Sequence, residues 1–199
     1  PSANEHAFEF DVARTRYGRG VLRELGDDCT RMGLRRVAVV TDAAVARLDC
    51  FKGAVESLER RGVAYEVWDE TEVEPTDVSF ERCADWARGF SPDGFVSVGG
   101  GSAIDTAKAA NLLSTYPPPS AGPGGMLHYL NAPVGEGNQP PGPLRPHVAC
   151  PTTAGTGSEG TGYAICDVTS IGVKSALASR ALKPDLALVD PLATHTLPG

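Results

Sequence analysis

Three short segments hold residues whose types and spacing could do chemistry. The first is Gly99-Gly100-Gly101-Ser102, set between the apolar run Gly94-Phe95-Val96-Ser97-Val98 and Ala103-Ile104-Asp105-Thr106-Ala107-Lys108-Ala109-Ala110. A glycine turn from strand into helix lets a ligand approach the unpaired N–H groups of the helix's first turn and the positive end of its dipole. That is where a pyrophosphate sits. The spacing is neither G-x-G-x-x-G, since position 104 is Ile, nor a P-loop, which ends in Gly-Lys-Ser/Thr. A plain glycine turn therefore stays open on these residues alone. The second segment is Thr41-Asp42, closing the run Arg36-Val37-Ala38-Val39-Val40. A carboxylate at a strand's carboxyl end could accept hydrogen bonds from an adenosine ribose 2′-OH and would repel a 2′-phosphate, favouring NAD over NADP. A simple helix cap is the other reading of Asp42. The third is Pro151-Thr152-Thr153-Ala154-Gly155-Thr156-Gly157-Ser158-Glu159, directly after His147-Val148-Ala149-Cys150. Its hydroxyls and flexible backbone could wrap phosphates and a nicotinamide ribose, against the plainer reading of a polar surface turn.

Other chemistries fit less well. Gly157-Ser158-Glu159-Gly160 is one residue short of the G-x-S-x-G elbow of hydrolases. His6, His128, His147 and His195 are scattered and none lies in H-E-x-x-H. Asp190 and His195 are five apart, the wrong spacing for one helix face, with Pro191 between them. The five cysteines, Cys29, Cys50, Cys83, Cys150 and Cys166, never form C-x-x-C, which points to reduced thiols packed as small hydrophobes rather than to zinc.

The elements that must position these segments follow from pattern. Phe8-Glu9-Phe10, then Tyr17-Gly18-Arg19-Gly20, reads as a first strand and a turn. Val21 to Met32 has helical spacing, 36–42 reads as a buried strand, and Phe51 to Arg61 is an amphipathic helix stopped by Gly62. Ala64–Trp68 is the next strand, and Asp77 is placed to cap a helix from Val78 to Phe90. The Gly94 strand and the Ser102 helix come next. Pro117 to Pro146 is dense in Pro and Gly and excludes regular helix or a central strand, so it is expected to be an ordered excursion within one domain spanning 1–199. Short strands are expected at Tyr163–Val168, Val173–Ala178 and Leu186–Asp190. Alternating strands and helices make the fold class α/β, a Rossmann-like open parallel sheet with helices on both faces and a few short extra strands in the last third.

Composition sets the outer bounds. A chain of 199 residues can bury a core without staples, and its formal net charge of −7, with no basic run, argues against a nucleic-acid partner. No stretch reaches transmembrane length, so no membrane partner is expected, and a small-molecule substrate is. The first ten residues lack a signal peptide's basic and apolar regions, so the expected compartment is the cytoplasm.

Taken together, the segments resemble the amino-terminal half of the iron-containing (group III) alcohol dehydrogenase family. The likeness rests on Gly99-Gly100-Gly101-Ser102-x-x-Asp105-x-x-Lys108, the Pro151–Glu159 block, Val40-Thr41-Asp42, and Lys183-Pro184 through Val189-Asp190-Pro191. Within the family, 73–80, 132–137 and 179–184 are most similar to the hydroxyacid-oxoacid transhydrogenases. The resemblance implies an NAD-binding domain in which Gly99, Gly100, Gly101 and Ser102 hold the pyrophosphate and Asp42 the adenosine ribose. It implies that Thr152, Thr153 and Thr156 line the nicotinamide side and that Lys174 approaches the cofactor ribose, with Asp105 and Ser158 counted among the binding residues. Where many members carry Pro-Asn-Pro for the adenine, this chain reads Glu74-Pro75-Thr76. The family's Fe2+ or Zn2+ is held by one Asp and three His on a carboxy-terminal helical domain, so metal is expected only with that domain, which is absent from this chain. The implied reaction is hydride transfer between a small hydroxyacid or alcohol and NAD, such as 4-hydroxybutyrate with 2-oxoglutarate. A non-catalytic cofactor-binding or assembly module, and a dehydroquinate-synthase-like or glycerol-dehydrogenase-like relative, stand as alternatives. A homodimer or a complementing chain stands open as protein partner.

Overall fold

The computed structural model describes residues 13–119 and 125–195; the expected strand at Phe8–Phe10 lies outside them. The described residues form eight strands: β1 (Arg14–Tyr17), β2 (Arg36–Val40), β3 (Ala64–Trp68), β4 (Gly94–Gly99), β5 (His147–Pro151), β6 (Tyr163–Val168), β7 (Val173–Ala178) and β8 (Leu186–Val189). Four α-helices accompany them: α1 (Leu25–Arg31), α2 (Asp49–Arg60), α3 (Asp77–Phe90) and α4 (Gly101–Thr115). Six strands form one parallel sheet in the order β1-β8-β5-β4-β2-β3, while β6 and β7 pair antiparallel as a separate ribbon.

Burial explains the layering. The central strands β4 and β5 are buried at every residue, as strands covered on both faces must be. Their side chains, with those of β2, alternate between two cores. Ala38, Val40 and Phe95 face a cluster built from α3, α4, Met126, Tyr129, Leu130 and the β6–β7 ribbon. Val37, Val39, Val96 and Val98 face a second cluster built from α1 and α2. Helix α4 is buried from Ala103 through Ser114, and its alanine-rich, all-round small surface suits a helix enclosed by neighbours. The Pro/Gly-rich stretch before β5 contributes Met126, Tyr129 and Leu130 to the core, so packing anchors it there.

Three local expectations are corrected. The span expected as one helix from Val21 to Met32 is a 3-10 turn, Val21–Glu24, followed by α1. Gly20 enters that turn at φ 81°, and the Asp190 carboxylate accepts from the Gly20 and Leu22 amides at 2.9 and 3.4 Å. Thr76, not Asp77, caps α3: its hydroxyl accepts from the Ser79 amide and the Ser79 hydroxyl lies against the Thr76 amide, a reciprocal capping box. Arg14–Tyr17 is a parallel edge strand beside β8, although Tyr17 was expected to open a turn.

Candidate functional site

Chain order runs outward from β2 to β3, then jumps back so that β4, β5 and β8 follow on the other side of β2. The crevice above the carboxyl ends of β2 and β4 is thus the point where the winding reverses, the usual ligand position in such sheets. A cleft of about 350 Å³ opens there. Asp42, Gly100, Ser102, Thr152 and Thr153 all line it.

Each of these is set by the end of an element. Gly100 stands just before α4 and no side chain caps that helix, leaving its first amides for a ligand. The three glycines owe their identity to close approach rather than to an unusual φ. A Cβ at Gly99 would lie 2.6 Å from the Ala103 Cβ, one at Gly100 would lie 3.3 Å from Thr153 Cγ2, and one at Gly101 3.1 Å from Thr156 Cγ2. The glycine turn and the threonine-rich loop therefore pack directly on each other. In that loop Gly155 and Gly157 take φ of 120° and 68°, conformations that do favour glycine.

Asp42 caps a turn and also stands in the cleft wall. Its Oδ1 accepts from the Ala44 and Val45 amides at 2.9 Å each, capping a short turn, while the residue stays half-buried in the cleft wall. Two hydroxyl oxygens in the same wall, Thr71 Oγ1 and Thr153 Oγ1, are buried without a hydrogen-bond partner. Unpaired buried hydroxyls are costly, and a polyhydroxylated ligand would satisfy them. Among the described residues no Lys or Arg lines this cleft, so an anionic group in it would rest on amides and the helix dipole.

Asp105 lies behind the site rather than in it. It is buried, accepts from the Ile165 amide at 3.1 Å, meets Ser158, and pairs with the fully buried Lys108 at 3.5 Å. Burial pushes the Asp105 carboxyl up and the Lys108 ammonium down from their ordinary values, each partly offset by the other. Lys108 also donates to the Tyr163 carbonyl at 2.7 Å, tying α4 to β6. Lys174 lies on β7, half-exposed, with Nζ 3.5 Å from Glu74 and 3.7 Å from Asp167, outside the residues that line the cleft. Ala44, Val45, Leu48, Thr71-Glu72-Val73 and Ala103 complete the wall and were not anticipated; for 71–73 the signal was available, since they follow β3 as 42 follows β2.

The remaining candidates have structural partners. Asp190 caps the 3-10 turn Pro191–Thr194 in addition to holding Gly20. His128 Nδ1 sits 3.0 Å from Glu136 at the surface. Among the described residues no group of three or more His, Cys, Asp or Glu could hold a metal ion. No helix there is long and apolar enough to cross a membrane.

Comparison with known proteins agrees with this geometry. The family model for iron-containing alcohol dehydrogenase matches residues 13–191. The mitochondrial hydroxyacid-oxoacid transhydrogenase of Bos taurus is 45% identical over 194 residues, covering 98% of this chain and 41% of that protein. The chain thus spans about two fifths of the curated relatives it matches. Among solved structures, a 1,3-propanediol oxidoreductase superposes with a TM-score of 0.85 at 26% identity, over 97% of this chain and 48% of the other. A sulfoacetaldehyde reductase from Bifidobacterium kashiwanohense in complex with NAD+ gives 0.82 at 27%, over 96% and 48%. The relatives' mitochondrial names overturn the expected cytoplasmic location; composition of a folded domain carries no record of its compartment. A parallel sheet with its cleft at the winding reversal, and a family match running from the first described strand past the last, show that the chain belongs to the iron-containing alcohol dehydrogenase family.

Proposed function

We propose that this chain is the NAD(H)-binding half of a hydroxyacid-oxoacid transhydrogenase. The observation that carries the reading is the cleft itself, with a glycine turn, an uncapped helix start, two orphaned hydroxyls and Asp42 around one space. When bound, the nicotinamide cofactor supplies a hydride acceptor or donor. This chain's residues would bind and orient it. The amides at Gly101 and Ser102 receive the pyrophosphate, Asp42 Oδ2 receives the adenosine ribose, and Thr152 and Thr153 face the nicotinamide end. Thr156 and Ser158 hold the loop against Gly101, and Asp105 with Lys108 fixes α4 behind it. Lys174 would reach the cofactor ribose only by leaving Glu74 and Asp167.

The described residues hold no group of ligands that fits a metal. We place the ligands of the family's iron in the part of the relatives' length that this chain does not span. The substrate class, a hydroxyacid with an oxoacid as acceptor, follows from the relatives' names; a small pair such as 4-hydroxybutyrate with 2-oxoglutarate is what the resemblance to the transhydrogenases implies. Titrating the chain into NADH and following cofactor fluorescence tests the reading. Saturable enhancement is expected, and an unchanged signal at millimolar cofactor would sink it.

A further inference from the structure

A second cavity, of about 440 Å³, lies at the other end of the sheet. It sits at the amino-terminal ends of β1, β5 and β8 and shares no lining residue with the cofactor cleft. At roughly 3.3 Å per residue, the two ends of β5 are about 13 Å apart. Arg14, Arg145, Arg180 and Lys183 line the cavity, with Lys108, already paired to Asp105, behind them; Asp185 is the one carboxylate among the described residues of the lining. That carboxylate is engaged, accepting from the His147 amide at 2.8 Å. In a chain with 25 acidic and 18 basic residues, such a gathering of one sign around one space runs against the overall balance. Guanidinium and ammonium groups gathered around one space favour an anion within it.

His147 supplies an independent observation. It is 3% exposed and stands in the same wall. Its Nε2 lies 2.8 Å from Ser97 Oγ, while Nδ1 is buried with no partner. If Ser97 donates to Nε2, the neutral ring carries its proton on Nδ1 and only that N–H is unpaired. The opposite assignment would leave both the Ser97 hydroxyl proton and Nδ1 unpaired, so the first is preferred. The lining thus includes a buried residue whose Nδ1 has no hydrogen-bond partner. Arg145 is oriented for such a role, with Nη1 held 2.9 Å from each of the Ser114 and Thr115 hydroxyls.

From this geometry we propose that the cavity at the amino-terminal ends of β1, β5 and β8 is a binding site for a small dianion, a dicarboxylate or a phosphate, separate from the cofactor cleft. Recognition is by charge-assisted hydrogen bonds from the guanidinium groups and by the His147 N–H. The experiment follows the His147 ring resonances by 1H–13C NMR while the chain is titrated with malonate in one arm and inorganic phosphate in the other, at ionic strength held constant with chloride. A saturable shift with either dianion, and none with chloride, is expected; the arm that saturates at lower concentration identifies carboxylate or phosphate as the preferred chemistry. Arg145→Gln should weaken the titration roughly tenfold or more, and the edge-strand variant Arg14→Gln should weaken it severalfold while leaving the fold intact. NADH fluorescence titration of both variants should match the parent chain, which separates this site from the cofactor reading. No saturable shift in either arm, or unchanged affinity in Arg14→Gln, overturns the proposal.

Discussion

At the scale of single residues, Asp42 and His147 make the sharpest predictions. Asp42 spends Oδ1 on the Ala44 and Val45 amides, so removing the side chain would unpick a turn as well as a ligand contact. Asp42→Asn keeps an oxygen for those amides and removes the charge. The preference for NADH over NADPH should then fall by roughly tenfold, about 1.4 kcal/mol, in paired fluorescence titrations; an unchanged ratio would refute the ribose assignment. For His147, burial and, secondarily, the Lys108 ammonium push the imidazole down from 6.5 to about 3. Above pH 6.5 the ring is neutral in both folded and unfolded chains. As the pH falls from 6.5 toward 3, the unfolded chain takes up a proton that the folded one refuses, so stability present at neutral pH is progressively lost. Urea midpoints measured from pH 7.5 to 5 should decline, and more steeply than in His147→Gln. Equal slopes in the two proteins would show that His147 is not the titrating group.

At the scale of elements, helix α1 meets α2 through backbone. A Cβ on Gly26 would lie 2.1 Å from the Ser57 carbonyl oxygen, a contact no rotamer can relieve. Gly26→Ala should therefore cost about 1–3 kcal/mol by forcing the helices apart, seen as a lowered thermal midpoint with NADH affinity retained. A midpoint equal to the parent's would contradict so close a packing. The sequence made most of these elements legible where burial writes a simple pattern, as in the apolar runs of β2 and β4 or the glycine ending α2. It hid β1, because Arg14-Thr15-Arg16-Tyr17 is an exposed edge whose pairing is made by backbone alone. It misdirected the α3 cap, because Ser79 fills the place where Glu or Gln would have marked a capping box. The residues of the cleft above β2 and β4 could be picked out because they sit at successive strand ends. Those of the basic cavity could not, because residues 14, 108, 145, 180 and 183 form no local run and meet only through the sheet.

At the scale of the whole molecule, cofactor binding and metal binding should separate. After incubation with excess zinc or iron(II) and desalting, the 199-residue chain should retain far less than one equivalent of metal while still titrating with NADH. One retained equivalent by elemental analysis would mean that the ligand set lies within this chain after all. Helix α4 joins the two cavities, beginning at the cleft with Gly101 and reaching the basic wall at Lys108, enclosed nearly throughout. Amides in such a helix exchange with solvent only when the entire structure opens, whereas loops with exposed residues exchange through local fluctuations. Deuterium uptake in the middle of α4 would accordingly measure the global stability of the chain, and uptake at 153–157 and near Arg145 would report the occupancy of each cavity in the same experiment.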